Sequence, residues 1–451
     1  MDSVSQQEAT TSPPTPAFPN IPYFAPLHKD SPGKSLNISN ATPTLFQPLK
    51  IRSATFRNRI FVAPMCQYST ASSGPQTGAL TDYHIATLGH YALKGAALVM
   101  IEASAVQPNG RITPHDSGIW NEEQAKAIKR VADFVHAQGA LCGVQLAHAG
   151  RKASTVPPWV AIEHGKASMK ADESVGGWPG DVVGPSGGES MAWDAESRKG
   201  GFWPPRELSE EEVKEVVRAH GESAKLAVQA GVDVIEIHAA HGYLLNEFLS
   251  PITNRRTDKY GGSFENRTRI VVEIAKAVRE NVPKGMPIFL RVSATEWMEE
   301  SDIGKELGSW DVESTLNLAS ILPQLGVDLL DVSSGGNNEK QRIQPHSNYQ
   351  VGIAGRIRKA MKDEGLQLLL GAVGLITNAV QAKDIVEESL HEEAEAARHM
   401  VEEHSEKEPM ADAIFVARQF MREPEWVLRV AWKLGVDVAW PSQFRRVRFS
   451  E

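Results

Sequence analysis

Cysteine is nearly absent from the 451-residue chain, which contains only Cys66 and Cys142. Two thiols exclude a disulfide framework and any cluster held by four cysteines, and they fit a reducing compartment. Long apolar runs are absent too, because no stretch reaches the roughly 18–20 residues that cross a bilayer. The first residues lack a basic region followed by an apolar one. We therefore expect a cytoplasmic protein without a secretory signal or a membrane partner.

An excess of positive charge is also missing. The chain carries 47 Lys and Arg against 56 Asp and Glu, which gives a formal net charge of −9. This balance argues against nucleic acid as the main partner. Apolar residues make up 41% of the chain, a content that suits a soluble globular protein.

Short apolar runs alternate with helical patterns along most of the chain. Eight runs read as buried parallel strands, at residues 60–63, 97–101, 141–146, 232–237, 287–292, 327–332, 367–370 and 413–416. Eight helical stretches accompany them, near 82–94, 122–138, 209–230, 264–281, 309–325, 350–364, 376–404 and 424–434. This alternation predicts an α/β fold, a (β/α)₈ TIM barrel. A doubly wound sheet is the alternative, but residues 63–67 lack its glycine-rich turn.

Several segments stand outside the repeat. Residues 1–40 are rich in Pro, Ser, Thr and Asn, so we expect an irregular N-terminal extension before a barrel domain at 41–451. Segments 48–51 and 54–58 resemble a small hairpin. The long loop after the third strand, 152–207, is either a lid or specificity element or an ornamental insertion. The charge run 387–408 most simply extends the seventh helix as a solvated face.

Three polar side chains follow the fourth strand closely: His238, His241 and Tyr243. Two imidazoles can donate hydrogen bonds to one substrate oxygen, and a phenol can give a proton to a basic carbon. The histidines could instead bind a metal or cap the strand. No third ligand follows at helical spacing, so we expect no metal.

Other strand ends carry residues that suit a phosphate-bearing cofactor. Gly374 and Arg418 follow the seventh and eighth strands, whose loops commonly hold a phosphate in this fold. Gln145 offers a donor and an acceptor for the edge of a heterocycle, and Arg291 favours an electron-rich ring. These residues are compatible with a flavin, and the pattern leaves other cofactors open.

The motifs at these strand ends resemble the old yellow enzyme family of FMN-dependent ene-reductases, over about residues 44–446. The most similar branch has a cysteine near the flavin. The resemblance rests on NRIFVAPMCQYS (58–69), EASAVQPNGRIT (102–113), GVQLAHAGRK (143–152), HAAHGYLLNEFLSPITNRRTDKYGGSFENR (238–267), RVSA (291–294) and DVSSGG (331–336). The long match at 238–267 is highly specific.

The resemblance implies roles for individual residues. It places tightly but non-covalently bound FMN against Pro64, Met65, Cys66, Ala103, Gln145 and Arg291, with its phosphate near Gly374, Ala417 and Arg418. The family usually has glycine where this chain has Ala417, which keeps the backbone N–H. Substrate would contact Tyr68, His238, His241 and, from a neighbouring subunit, Arg446. That last role implies a homodimer or larger assembly, and a plain surface arginine is the alternative.

The resemblance also implies a reaction. NADPH or NADH would reduce the FMN, whose N5 would pass hydride to the activated C=C of an α,β-unsaturated carbonyl or nitro compound. Tyr243 would protonate the other carbon. A dienoyl-CoA reductase would need four cysteines for its cluster. A redox-sensing flavin module would not need Tyr243, and a lyase or aldolase on a bare barrel would need a Schiff-base lysine, for which Lys152 is the nearest.

Overall fold

Eight parallel strands close into a barrel at the centre of the molecule. The structure is a computed structural model that describes residues 15–197, 199–387 and 408–449. The barrel strands are β3 (Ile60–Val62), β4 (Leu98–Ala105), β5 (Leu141–Ala147), β8 (Val234–Ala239), β9 (Ile288–Ser293), β10 (Leu329–Ser333), β11 (Leu369–Val373) and β12 (Ala413–Val416). Each strand pairs with the next in chain order, and β12 pairs with β3. The predicted (β/α)₈ barrel is confirmed.

Helices cover the outside of the barrel in the described ranges. They are α1 (Asp82–Leu93), α2 (Glu122–Ala137), α3 (Pro158–Glu163), α4 (Glu210–Gln229), α5 (Leu244–Leu249), α6 (Phe264–Glu280), α7 (Asp302–Leu307), α8 (Val312–Ile321), α9 (Val351–Asp363), α10 (Ala379–Val386), α11 (Arg418–Arg422) and α12 (Trp426–Lys433). None of these helices combines the length and apolar character needed to cross a bilayer. Helix α4 begins with the capping-box geometry that Ser209 and Glu212 predict.

Two predicted helical stretches differ from the structure. The stretch 309–325 is shorter as an α-helix, because α8 ends at Ile321 and a 3₁₀ turn, Pro323–Leu325, follows. Pro323 has no N–H to continue the α-helical hydrogen bonds. The stretch 376–404 begins as α10, but residues 388–404 lie outside the described residues. The prediction for the charge run 387–408 therefore stays a prediction.

The predicted hairpin closes the N-terminal end of the barrel. Strands β1 (Leu49–Ile51) and β2 (Ala54–Phe56) pair antiparallel. The ring of Phe56 lies 4.7 Å from that of Phe61 and 6.4 Å from that of Phe289, between ring centres. Aromatic rings at such distances fill space and attract each other. This end of the barrel is therefore a packed apolar core.

The insertion after β5 is structured and packs against the carboxyl ends of the strands. It contains α3 and a short parallel pair, β6 (Val183–Gly184) with β7 (Arg206–Glu207). Trp193 donates its indole N–H to the carbonyl of Gly336 at 3.0 Å, which links the insertion to the loop after β10. The ring of Trp159 meets that of Tyr68 edge-on at 5.9 Å. These contacts favour the lid interpretation over the ornamental one.

The described part of the N-terminal extension lies along the C-terminal segment. Backbone hydrogen bonds join Gly33 N to the carbonyl of Ala439 at 2.8 Å and Leu36 N to the carbonyl of Asp437 at 2.9 Å. Buried Asn58 donates to the carbonyl of Gly33 at 3.0 Å. The extension has little regular structure, and the division of the chain at residue 41 stays a prediction.

Candidate active site

A tight turn after β8 brings the predicted histidines and tyrosine together. His238 is the fifth of the six residues of β8, and the turn that follows places His241 at φ +62° and Gly242 at φ +72°. A Cβ on Gly242 would collide with the carbonyl of Gly336, so only glycine fits there. The ring centre of His238 lies 5.2 Å from that of His241 and 5.2 Å from that of Tyr243.

Both imidazoles are neutral in this environment. Burial lowers the pKa of His238 well below its usual range, and nearby His241 and Arg291 lower it further. Burial also lowers the pKa of His241 to about 3, again with Arg291 contributing. Nε2 of His241 lies 2.7 Å from the hydroxyl oxygen of Ser333. Nδ1 of His238 is buried and has no hydrogen-bond partner in the described residues, so it is available to a ligand.

The phenol of Tyr243 stays protonated. Burial raises its pKa, and the nearby Cys66 and Asp116 raise it further. Nζ of Lys152 lies 5.5 Å from the centre of the Tyr243 ring and donates hydrogen bonds to the carbonyls of His241, at 2.8 Å, and Gly336. Lys152 thereby holds the turn after β8 against the loop after β10, and burial lowers the pKa of its ammonium to about 7.

The loop after β3 presents Cys66 and Tyr68 to the same side. Tyr68 has φ +51°, and the backbone N–H of Gln67 donates to the buried carboxylate of Glu102 at 3.0 Å. Burial raises the pKa of the Cys66 thiol well above its ordinary value, with Asp116 and Glu102 adding to the effect. Cys66 is therefore a protonated thiol and not a ready nucleophile.

A small cavity lies beside Tyr243. The residues that line it are Ala103, Ala105, Gly110, Ile112, Asp116, Ala147, Ala149 and Tyr243. Its volume is about 10 Å³. That is about the space of one water molecule. Asp116, which sequence reasoning missed, accepts hydrogen bonds from Ile112 N at 2.7 Å and from the hydroxyl of Thr113 at 2.6 Å. It lies in an irregular segment, where no periodic pattern marks it.

A charged layer lies inside the barrel, on neighbouring strands. The register pairs Gln145 with Glu236 and Arg291 with Asp331. Gln145 Nε2 donates to Glu236 Oε1 at 2.7 Å, and Arg291 Nε donates to Asp331 Oδ2 at 2.6 Å. Sequence reasoning proposed Gln145 and Arg291 but missed the two acids. The sequence did contain a signal for these two acids, because each one interrupts an otherwise apolar strand: Glu236 in VIEIH and Asp331 in LLDVS.

A large cavity of about 410 Å³ opens at the carboxyl ends of the strands. This volume lies within the range of small-molecule and cofactor sites. Predicted residues on its wall are Pro64, His241, Arg291, Gly374, Ala417 and Arg418. Residues that were not predicted line it too, among them Tyr349, Gln350 and Arg422. Gln350 joins the loops after β10 and β11, since it accepts from Ser334 at 2.9 Å and donates to the carbonyl of Val373 at 2.8 Å.

The lining of the large cavity fits an anionic cofactor. Arg291, Arg418 and Arg422 line it, and no Asp or Glu is among its described lining residues. Arg291 is buried, and both its Nε and its Nη2 pair with the carboxylate of Asp331, which fixes the guanidinium at the cavity wall. Gly374 has φ +112°, which glycine adopts without strain, and a Cβ there would lie 2.7 Å from Nε2 of Gln350. A cavity lined by arginines and by no acidic residue suits a ligand that has a phosphate at one end and an electron-rich ring at the other.

The remaining predicted residues fall in different places. Ala103 lines the small cavity, and Met65 is half-buried and packs against the main core. Arg446 is exposed on the 3₁₀ segment Ser442–Val447 and lines neither cavity. The roles of all these residues stay predictions.

Comparison with known proteins identifies the family. The model of the NADH:flavin oxidoreductase / NADH oxidase family matches residues 44–436. NADH:flavin oxidoreductase FG08077 of Gibberella zeae is 40% identical over 432 residues, which cover 95% of this chain and 94% of that protein. NADPH dehydrogenase of Listeria monocytogenes is 39% identical over 403 residues, which cover 89% of this chain and 98% of that protein.

Solved structures show the same barrel. Morphinone reductase in complex with tetrahydroNAD is 25% identical, with a TM-score of 0.59 over 89% of this chain and 93% of that one. An old yellow enzyme homologue from Zymomonas mobilis is 23% identical, with a TM-score of 0.61 over 91% of this chain and 100% of that one. The second similarity bears on the fold alone.

The chain belongs to the NADH:flavin oxidoreductase / NADH oxidase family. It is an oxidoreductase with FMN as its cofactor and a reduced nicotinamide nucleotide as electron donor. The predicted resemblance is thus confirmed at the level of the family. The branch with a cysteine near the flavin stays a prediction.

Proposed function

We propose that the chain is an ene-reductase, which uses NAD(P)H to reduce the activated C=C of α,β-unsaturated carbonyl or nitro compounds. One observation carries this proposal. Two neutral imidazoles, His238 and His241, and one protonated phenol, Tyr243, converge at the carboxyl end of β8. Hydrogen-bond donors and a weak acid in one place suit a substrate that gains negative charge on oxygen and a proton on carbon.

Each residue contributes one step. His238 and His241 donate hydrogen bonds to the carbonyl or nitro oxygen and withdraw charge from the conjugated alkene. Ser333, 2.7 Å from Nε2 of His241, orients that ring. Tyr243 delivers the proton to the carbon next to the activating group. Bound FMN supplies the hydride, and the protein supplies orientation and electrostatics.

The large cavity would hold the FMN. Arg418, Gly374 and the N–H of Ala417 would bind its phosphate, and Arg291 with Gln145 would face its polar ring edge. Pro64, Met65, Cys66 and Ala103 would line the remaining ring surface. The protonated state of the Cys66 thiol supports a packing and polarising role beside the ring.

A second subunit would complete the substrate pocket, and we infer a homodimer or a larger homo-oligomer. Arg446 is exposed on the segment Ser442–Val447 and makes no hydrogen bond or ion pair with the rest of the described chain. An exposed guanidinium without a partner among the described residues is available to enter a neighbouring copy's pocket. Mixing an Arg446→Ala variant with a Tyr243→Phe variant tests this, because a mixed dimer would regain one intact site.

Isotope labelling tests the reaction directly. Under nitrogen, the enzyme would reduce 2-cyclohexenone with NADPH in D₂O, and NMR would locate the deuterium in the product. We expect deuterium from solvent at the α-carbon and, with deuterated NADPH in H₂O, deuterium at the β-carbon. Solvent deuterium at the β-carbon would contradict the proposed roles. Absence of product despite NADPH-dependent FMN reduction would favour a redox-sensing module.

A further inference from the structure

Two buried carboxyls share a single cation inside the barrel. Glu236, Asp331 and Arg291 expose 0%, 0% and 5% of their surface. Arg291 Nε lies 2.6 Å from Asp331 Oδ2 and 3.8 Å from Glu236 Oε1. Glu236 also accepts a hydrogen bond from the neutral amide of Gln145, at 2.7 Å, and lies within hydrogen-bond reach of the carboxyl of Asp331. The nearest titratable side chain on its own strand is His238, which is neutral.

The charges of this group do not balance if both acids are ionised. Two buried carboxylates against one guanidinium would leave a net negative charge away from water, which is costly. Like charges that share a buried site push one group to keep its proton. Burial raises the pKa of both carboxyls, and Arg291 opposes this at both, but only Asp331 accepts a hydrogen bond from Arg291. The two carboxyls lie within hydrogen-bond reach of each other, and Glu236 Oε2 and Asp331 Oδ1 have no other partner in the described residues, as expected if one proton joins the pair.

We propose that Glu236 and Asp331 hold one proton between them, so that Arg291 faces the FMN site from a cluster with no net charge. Asp331 is the ionised member and Glu236 the protonated one. Both act as positioning residues, because they set the electrostatic potential that Arg291 presents to the cofactor without reaching the large cavity themselves. The inference rests on the FMN site of the proposed function and is independent of the alkene chemistry.

The cluster would govern how easily bound FMN accepts electrons. A net negative cluster would oppose the electron pair that the cofactor takes up, and a neutral one would not. Because a single negative charge is shared, the pair also compensates for loss of either acid. If Asp331 is replaced by Asn, Glu236 becomes the counter-ion of Arg291 and releases its proton. Only removal of both acids would leave Arg291 uncompensated.

The midpoint potential of bound FMN tests this in a variant cycle. At a fixed solution potential, we expect Glu236→Gln and Asp331→Asn each to change the ratio of reduced to oxidised FMN by less than about twofold. The double variant should raise that ratio about tenfold, the effect of one charge at roughly 10 Å in a medium of effective dielectric constant near 20. Glu296→Gln is the control, because this buried glutamate binds Ser250, Trp310 and Asn337 and lines neither cavity.

Two other patterns would overturn the proposal. If both acids are ionised in the native protein, each single variant raises the ratio about tenfold. If neither is ionised, or if the ion pair is merely structural, the double variant leaves the ratio unchanged.

Infrared difference spectra of the oxidised holoenzyme at pH 7 give a second readout. A protonated-carboxyl band should disappear in Glu236→Gln, and also in Asp331→Asn. Persistence of the band in Glu236→Gln would contradict the assignment. Neither the FMN potential nor the infrared band depends on alkene turnover. Both can therefore be measured even if the protein does not reduce alkenes.

Discussion

The ring of Tyr243 meets the ring of His238 edge-on, with 5.2 Å between ring centres and 65° between planes. The tyrosine is the N-cap residue of α5, so the backbone that begins that helix fixes its position. An oxygen bound to the imidazole therefore lies near the phenol, and one substrate can contact both. This adjacency is the geometric basis of the proposed division between activation and protonation.

Replacing Tyr243 by Phe should separate the two half-reactions. Reduction of the enone should slow by about 10²–10⁴-fold, the usual contribution of a positioned acid, because only the hydroxyl is lost. Reduction of FMN by NADPH should be nearly unchanged, since it needs no proton from this residue. Stopped-flow absorbance measures both rates. Tyr91→Phe, a buried tyrosine on α1, is the control. Equal loss in both half-reactions would rule out the role of proton donor.

Alkylation of Cys66 should report a protonated thiol. In a Cys142→Ser background, the rate of reaction with iodoacetamide should keep rising up to pH 9 without levelling off, because burial raises the pKa of Cys66 above that value. Mass spectrometry of the modified peptide measures the rate. The profile is informative even if FMN slows access, because shielding lowers the rate at every pH equally. A plateau near neutral pH would reveal a thiolate and contradict the packing role.

The insertion after β5 should influence substrate choice through Trp159. This side chain is 47% exposed and packs edge-on against Tyr68. An aromatic pair of this kind is worth about 0.5–1.5 kcal/mol. We expect Trp159→Ala to raise KM for aryl-substituted enones by about 3–10-fold and to change KM for 2-cyclohexenone little. Ile162→Ala, on the same helix and 67% exposed, is the matched control. Equal changes for both substrates would show that Trp159 has no part in selectivity.

The strand pattern predicted the barrel because buried parallel strands are continuous apolar runs, and each predicted run overlaps a barrel strand. The residues of the turn after β8 could be predicted from their order along the chain. Lys152 could not be assigned correctly, because its partners are carbonyls of two distant loops. Asp116 lies in an irregular segment, where its closeness to Tyr243 depends on the three-dimensional path alone. The pairing of Glu236 with Asp331 likewise depends on strand register.

Acid should destabilise the protein through buried histidines. His220 is fully buried, donates Nδ1–H to the carbonyl of Val216 at 2.8 Å, and has its pKa lowered to about 4 by burial. Between about pH 4 and 6.5 the unfolded chain therefore binds more protons than the folded one, so stability rises with pH across that window. His220→Gln should lose less thermal stability than the parent between pH 7 and pH 4.5. His164→Gln, at an exposed position, should behave like the parent. Equal acid sensitivity of all three proteins would contradict the assignment.

An anaerobic absorbance titration of the purified protein tests the central claim most directly. NADPH would be added first, and 2-cyclohexenone second. We predict a yellow protein whose flavin absorbance bleaches with NADPH and returns fully with the enone, because the two substrates act in succession at one site. A protein that bleaches but does not regain colour with the enone, or with a nitroalkene, would contradict the proposed ene-reductase activity.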